Sequence, residues 1–98
     1  GGLVYEVCEP DNLLARAYEM AREIASNTAP VSSALIRQMM YRNSATDHPV
    51  EAHKVESLAV YYTSAADGKE GVSAFMEKRQ ADFKSSATSG MPPFYPWW

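Results

Sequence analysis

Cysteine is almost absent: Cys8 stands alone among 98 residues, so no disulfide can close within the chain and a reducing compartment is expected. No apolar run approaches the roughly 20 residues that a membrane helix needs. No charged-then-apolar signal segment opens the chain. A soluble, cytoplasmic protein without a membrane partner follows. Positive charge is also short. Nine Lys and Arg against 12 Asp and Glu leave a net charge of −3, which argues against a nucleic-acid partner, since phosphate binding needs a basic face. No glycine-rich phosphate loop is present. His48 and His53 are five apart, so they diverge around a helix, unlike the four-apart pair of a zinc-binding helix. They read as a loop histidine and a solvent-facing one. Cys8 has no basic neighbour in sequence to activate it and reads as a small core residue. Glu19 and Glu23 lie among Arg16 and Arg22, a solvated charged face. No catalytic residue and no metal ligand is therefore assigned.

What is present is globular in character. Hydrophobic residues make up 46% and charged residues 21%, enough for one modest core. A chain of this length buries a limited share of its surface, so a partner chain or a further domain is expected to supply the rest. The opening Gly1-Gly2-Leu3-Val4 has no initiator Met and no cap, and reads as a cut through a longer protein. Leu3 to Val7 is a short β-prone run stopped by Pro10.

The remainder predicts an all-α protein of about four helices. Asp11 or Asn12 is placed to cap a first helix. Leu13, Leu14, Ala17, Met20, Ala21 and Ile24 form its apolar face, and it ends near Asn27 ahead of Ala29-Pro30. Pro30 opens a second helix with Val31, Leu35 and Met39 as its stripe, widened by Ala34, Ile36 and Met40. Residues 43–47 form a loop, and Pro49 starts a third helix carrying Val55, Leu58, Ala59 and Tyr62. Asp67 followed by Glu70 three residues later matches a capping box. It opens a fourth helix with Val72, Phe75, Met76 and Arg79 on one side, running to about Phe83. Residues 1–84 make one helical domain. Residues 85–98 are Ser-, Pro- and aromatic-rich and read as an extended, polyproline-like arm.

Two stretches resemble the C-terminal part of the enoyl-CoA hydratase/isomerase, or crotonase, family. The first is Gly2-Leu3-Val4-x-Glu6-Val7 with Pro10, Ala17, Ala21, Ile24-Ala25-x-Asn27 and Pro30. The second is Asp67-x-x-Glu70-Gly71-Val72-x-Ala74-Phe75-x-Glu77-Lys78-Arg79-x-x-x-Phe83. The second is the more specific, because helix formation alone does not demand it. The resemblance covers roughly residues 2 to 84 and implies a good deal. The intact parent would hydrate 2-enoyl-CoA to 3-hydroxyacyl-CoA with a thioester oxyanion hole, acyl-CoA being its substrate rather than a resident cofactor. The oxyanion donors and catalytic glutamates would lie upstream of Gly1, so this chain alone would be inactive. The helical segment would contribute to a homo-oligomer, a trimer or hexamer in the parent and at least a dimer here. Carried over residue by residue, Phe75 would pack near the CoA adenine and Lys78 would pair with a CoA phosphate. Read without the resemblance, Phe75 is equally a core residue beside Val72, and Lys78 a solvated lysine beside Glu77. Other chemistries remain open. Isomerases belong to the same family, and naphthoate synthases share an ending like Lys78-Arg79-Gln80-Ala81-Asp82-Phe83. Their active-site tyrosine, however, aligns with Thr63, beside Tyr61 and Tyr62. A non-enzymatic helical interaction module is the remaining reading.

Overall fold

A computed structural model describes residues 2–97; Gly1 and Trp98, the two ends of the opening and of the arm, lie outside the described residues. A 3-10 turn at Pro10–Asn12 leads into α1 (Leu13–Asn27), α2 (Pro30–Asn43), α3 (Pro49–Ala65) and α4 (Asp67–Glu77). No strand occurs among the described residues. Leu3 and Val7 are exposed, and a β-prone run without a neighbouring strand has no ladder to join.

Proline sets two of the helix starts. Pro30 and Pro49 occupy the first helical position, each after an extended residue, Ala29 and His48, where the missing N–H costs nothing. His48 does more than the loop reading allowed: its Nδ1 accepts from the Val50 amide at 3.1 Å and caps α3. The expected cap of α1 does not form. Asn12 is already in the right-handed helical region, whereas a capping side chain needs an extended backbone to reach forward.

The core lies between α2 and α3. Val31 and Leu35 from α2 meet Ala59 from α3, with Met39 and Tyr62 packed around them, and Val55 is buried nearby on α3. Three further packing groups, Met91, Phe94 and Trp97, come from the C-terminal arm. The arm is non-helical, as read, but it is folded back onto the helices. Tyr62 donates from its hydroxyl to the Gly90 carbonyl at 3.3 Å, and its ring meets Phe94 edge-on at 6.4 Å. The Arg42 guanidinium donates to the Pro96 and Trp97 carbonyls at 2.5 and 2.9 Å and lies 5.6 Å from the Trp97 ring centroid.

The first helix packs differently. None of its residues is buried, and among helices α2–α4 it has no close-packed neighbour. Its links are polar: Arg16 pairs with Glu6 at 2.9 Å and with Glu19 at 2.5 Å, and Gln80 donates to the Ser26 carbonyl at 2.7 Å. The chain is correspondingly open, with a radius of gyration of 16.3 Å against about 13 Å for a compact domain of this length.

Candidate functional site: the C-terminal end of α4

A single residue, Ala66, separates the end of α3 from the start of the fourth helix. The corner is tight: a Cβ on Gly68 would stand 2.9 Å from the Thr63 carbonyl oxygen. Gly71 needs no such clearance, since its Cβ would sit 3.6 Å from the Phe83 ring, an ordinary contact. The capping box is not formed. Ala66 is the N-cap and no side chain caps the helix. Asp67 and Glu70 turn instead to the returning chain. Asp67 accepts from the Lys84 amide at 3.2 Å and the Ser85 amide at 3.3 Å, and Glu70 accepts from the Asp82 amide at 2.8 Å. Both carboxylates thus hold the segment that launches the arm.

The helix ends at Glu77 and does not run to Phe83. Lys78 adopts the left-handed conformation, φ 55° and ψ 40°. Its amide donates to the Phe75 carbonyl at 3.3 Å and that of Arg79 to the Ala74 carbonyl at 3.0 Å. This paired pattern is the Schellman stop, in which the left-handed position is usually glycine. A lysine there carries a backbone cost of about 1–2 kcal/mol.

Both residues singled out in the sequence come together at this end of the helix. Phe75 is 81% exposed, and Val72 and Met76 are exposed with it, so the apolar stripe of α4 faces outward and Phe75 is not a core residue of this chain. A groove of about 690 Å³ runs along the helix, lined by Lys69, Val72, Ser73 and Met76. Lys78 is exposed and has no ion-pair partner among the described residues. Its neighbour Glu77 is engaged elsewhere, accepting from Arg79 Nε at 2.6 Å and Ser73 Oγ at 3.0 Å.

Arg79, which its spacing places on the helix stripe, lies beyond the helix and is the hub of the site. Beyond Glu77, it forms a two-pronged pair with Glu70, Nη1 to Oε1 at 2.6 Å and Nη2 to Oε2 at 3.0 Å. Arg79 holds the Glu70 carboxyl down to about 2, with the Asp82 amide adding to the effect. Arg79 and then Ser73 lower Glu77, and both glutamates raise the Arg79 guanidinium further. Nine residues separate Glu70 from Arg79, beyond any helical spacing rule, which is why no sequence signal revealed the pair.

Elsewhere, a crevice of about 370 Å³ lies between Arg42, Glu51, Val55 and Trp97, but Arg42 is committed to the arm and Glu51 to Lys54 at 2.8 Å. Cys8 is half-buried and His53 exposed. Among the described residues, no group of three or more His, Cys, Asp or Glu is placed to hold a metal. Among the described residues, no helix is long and apolar enough to cross a membrane. The α4 end carries an exposed aromatic, Phe75, and three residues on an exposed lysine, Lys78.

The family profile described as enoyl-CoA hydratase/isomerase matches residues 1–86. An enoyl-CoA hydratase of Alternaria alternata is 45% identical over 75 residues, 74% of this chain and 24% of its own length. The mitochondrial enoyl-CoA hydratase of Pongo abelii is 38% identical over 85 residues, 85% of this chain and 28% of its own. The short-chain-enoyl-CoA hydratase of Clostridium acetobutylicum is 37% identical over 82 residues, 83% and 31%. The chain therefore spans under a third of the length of these relatives. No solved structure matches it. The arm beyond residue 86 lies outside the family match.

Proposed function

Because the chain belongs to the enoyl-CoA hydratase/isomerase family, we propose that it is the C-terminal helical segment of an enoyl-CoA hydratase, the whole protein adding water to a 2-enoyl-CoA to form the 3-hydroxyacyl-CoA. The hydratase reading is supported by the relatives, which carry that name. Holding the thioester enolate in an oxyanion hole and moving protons are assigned to the rest of the whole protein. This chain alone is expected not to hydrate crotonyl-CoA. Residues 1–84 act as the helical unit and 85–98 as its arm, in a cytoplasmic setting that the single thiol favours.

Within that protein, α4 takes the nucleotide end of CoA: Phe75 lies against the adenine and Lys78 meets a phosphate. The observation that carries this reading is that Lys78, exposed and without an ion-pair partner among the described residues, stands three residues after the exposed Phe75, in a left-handed conformation where glycine would be easier. Self-association is part of the same proposal. The accessible surface is 7763 Å², about 2,200 Å² above the roughly 5,600 Å² of a folded monomer of this mass. That excess is the size of a large, permanent interface. It supports at least a dimer for this chain, while a trimer or hexamer of the whole protein rests on the family resemblance alone.

The test uses the full-length protein that contains this segment. A phosphate far from the reacting carbon is bound equally in ground and transition states. Lys78→Ala should therefore raise KM about two- to five-fold with kcat unchanged, as for an exposed ion pair. The effect should shrink with salt and vanish with pantetheine thioesters, which lack the nucleotide. A lowered kcat, or an equal loss with both thioesters, would overturn the assignment.

A further inference from the structure

Two cations stand side by side at the end of α4, yet only one is available. All of the Arg79 guanidinium nitrogens are engaged. Nε meets Glu77 at 2.6 Å, while Nη1 and Nη2 meet the two Glu70 oxygens at 2.6 and 3.0 Å, with Nη1 also reaching the Gln80 carbonyl at 3.2 Å. Lys78 has no such partner among the described residues. Left free, Arg79 would be the stronger ligand for a phosphate, because its planar fork binds two oxygens at once. The same guanidinium belongs to the residue whose amide closes the Schellman stop on the Ala74 carbonyl at 3.0 Å. Pinning Arg79 therefore also fixes the backbone on which Lys78 stands. Glu70 is itself held from a third side by the Asp82 amide at 2.8 Å, so the pair is anchored to the returning chain.

We infer that Glu70 is a positioning residue of this site: by sequestering Arg79 it leaves Lys78 as the single anion-binding cation at the end of α4. The inference rests on the reading that Lys78 meets a phosphate. It adds that selection between the two cations is made by a carboxylate that never touches the ligand.

The whole chain can be titrated with adenosine 3′,5′-bisphosphate, following the Lys78 and Phe75 backbone signals and the Arg79 Nε–H signal by NMR. Glu70→Gln retains an oxygen for the Asp82 amide but removes the charge that holds Nη1 and Nη2 of Arg79, so the fold is kept and those two donors are released while Nε stays with Glu77. In the parent chain, ligand should move Lys78 and Phe75 and leave Arg79 Nε–H still. In Glu70→Gln, the Arg79 signal should move as well. Lys78→Ala should weaken binding about two- to five-fold in the parent background and less than about 1.5-fold beside Glu70→Gln, since Arg79 then takes the phosphate. A purely structural Glu70 would leave the two Lys78→Ala factors equal and Arg79 silent, and that result overturns the inference while sparing the Lys78 assignment. No response at Lys78 in the parent chain would overturn both.

Discussion

In the α2–α3 hairpin, Val31, Leu35, Val55 and Ala59 are at most 4% exposed. In α1, Leu13, Leu14, Tyr18 and Ile24 are all more than half exposed, and in α4 so are Val72, Phe75 and Met76. Both halves are drawn from similar residues at helical spacing. The difference is in what faces them. The hairpin helices cover each other and are sealed by Met91, Phe94 and Trp97 of the arm. The outer helices turn their stripes to solvent and spend their specific contacts on polar links: Arg16 with Glu6, Gln80 with Ser26, Glu70 with Arg79. The division is one of degree: Ile36, Met40 and Tyr61 of the hairpin are also exposed, and Ala74 is the one buried residue that α4 supplies.

Truncation should separate the halves most sharply. Leu35 is 1% exposed, so Leu35→Ala should cost about 2–5 kcal/mol through lost packing and a residual cavity, a large share of the stability of a domain this size. Leu14→Ala, on the open face of α1, should stay within about 0.5 kcal/mol. Urea titrations followed by circular dichroism would compare them, and equal losses would mean that α1 is covered in solution.

The two glycines of α4 should diverge next. Gly68→Ala forces a methyl against the Thr63 carbonyl and should cost about 1–3 kcal/mol. Gly71→Ala meets only ordinary contact with Phe83 and should gain about 0.5–1 kcal/mol of helix stability. Thermal melts reading the same sign for both would break the contrast between the packed corner and the open helix.

At the stop of α4, Lys78→Gly should stabilise the chain by about 1 kcal/mol by relieving the left-handed lysine, raising Tm by roughly 4–8 °C. It should also lose the anion response. A gain in stability with a loss of binding would place this residue on the presenting side of the molecule.

The smallest effect expected is on pH. Glu70 titrates at about 2 in the folded chain, against an ordinary 4.5. A carboxyl lowered by folding contributes stability that is fully present above pH 4.5 and fades as pH falls towards 2. Hydrogen exchange at the Asp82 amide should speed up across that window while the Leu35 amide stays protected longer. Glu70→Gln should remove the step, and a step that persists in that variant would point to another group.

How much of this was legible beforehand varies by element. Helices α1 to α3 were readable because proline, the loop residues and the apolar period act locally, and Pro30 and Pro49 stand where the starts fall. The end of α4 was not. Nothing local stops a helix at Glu77, and the stop depends on Arg79 being drawn back to Glu70 from nine residues away. The capping-box reading failed for the same reason. Asp67 and Glu70 had the right spacing, but the amides of residues 82, 84 and 85 compete for their oxygens and win. Phe75 and Lys78 come from the family motif as an expectation about the site, whereas the pairing of Glu70 with Arg79 is visible only in the structure.

The sequence by itself determined the helical class, the placement of the first three helices and the family, because composition, periodicity and motif are properties of neighbouring residues. Only the tertiary structure decided which stripes became core. Periodicity says that a face is apolar but not what lies opposite it, and so α1, with a continuous stripe, buries nothing. The same holds for the arm. Its prolines and aromatics exclude a helix, but that Phe94 and Trp97 close over the core of α2 and α3 depends on contacts distant in the chain, and on the carboxylates of α4 that turn the chain back towards them.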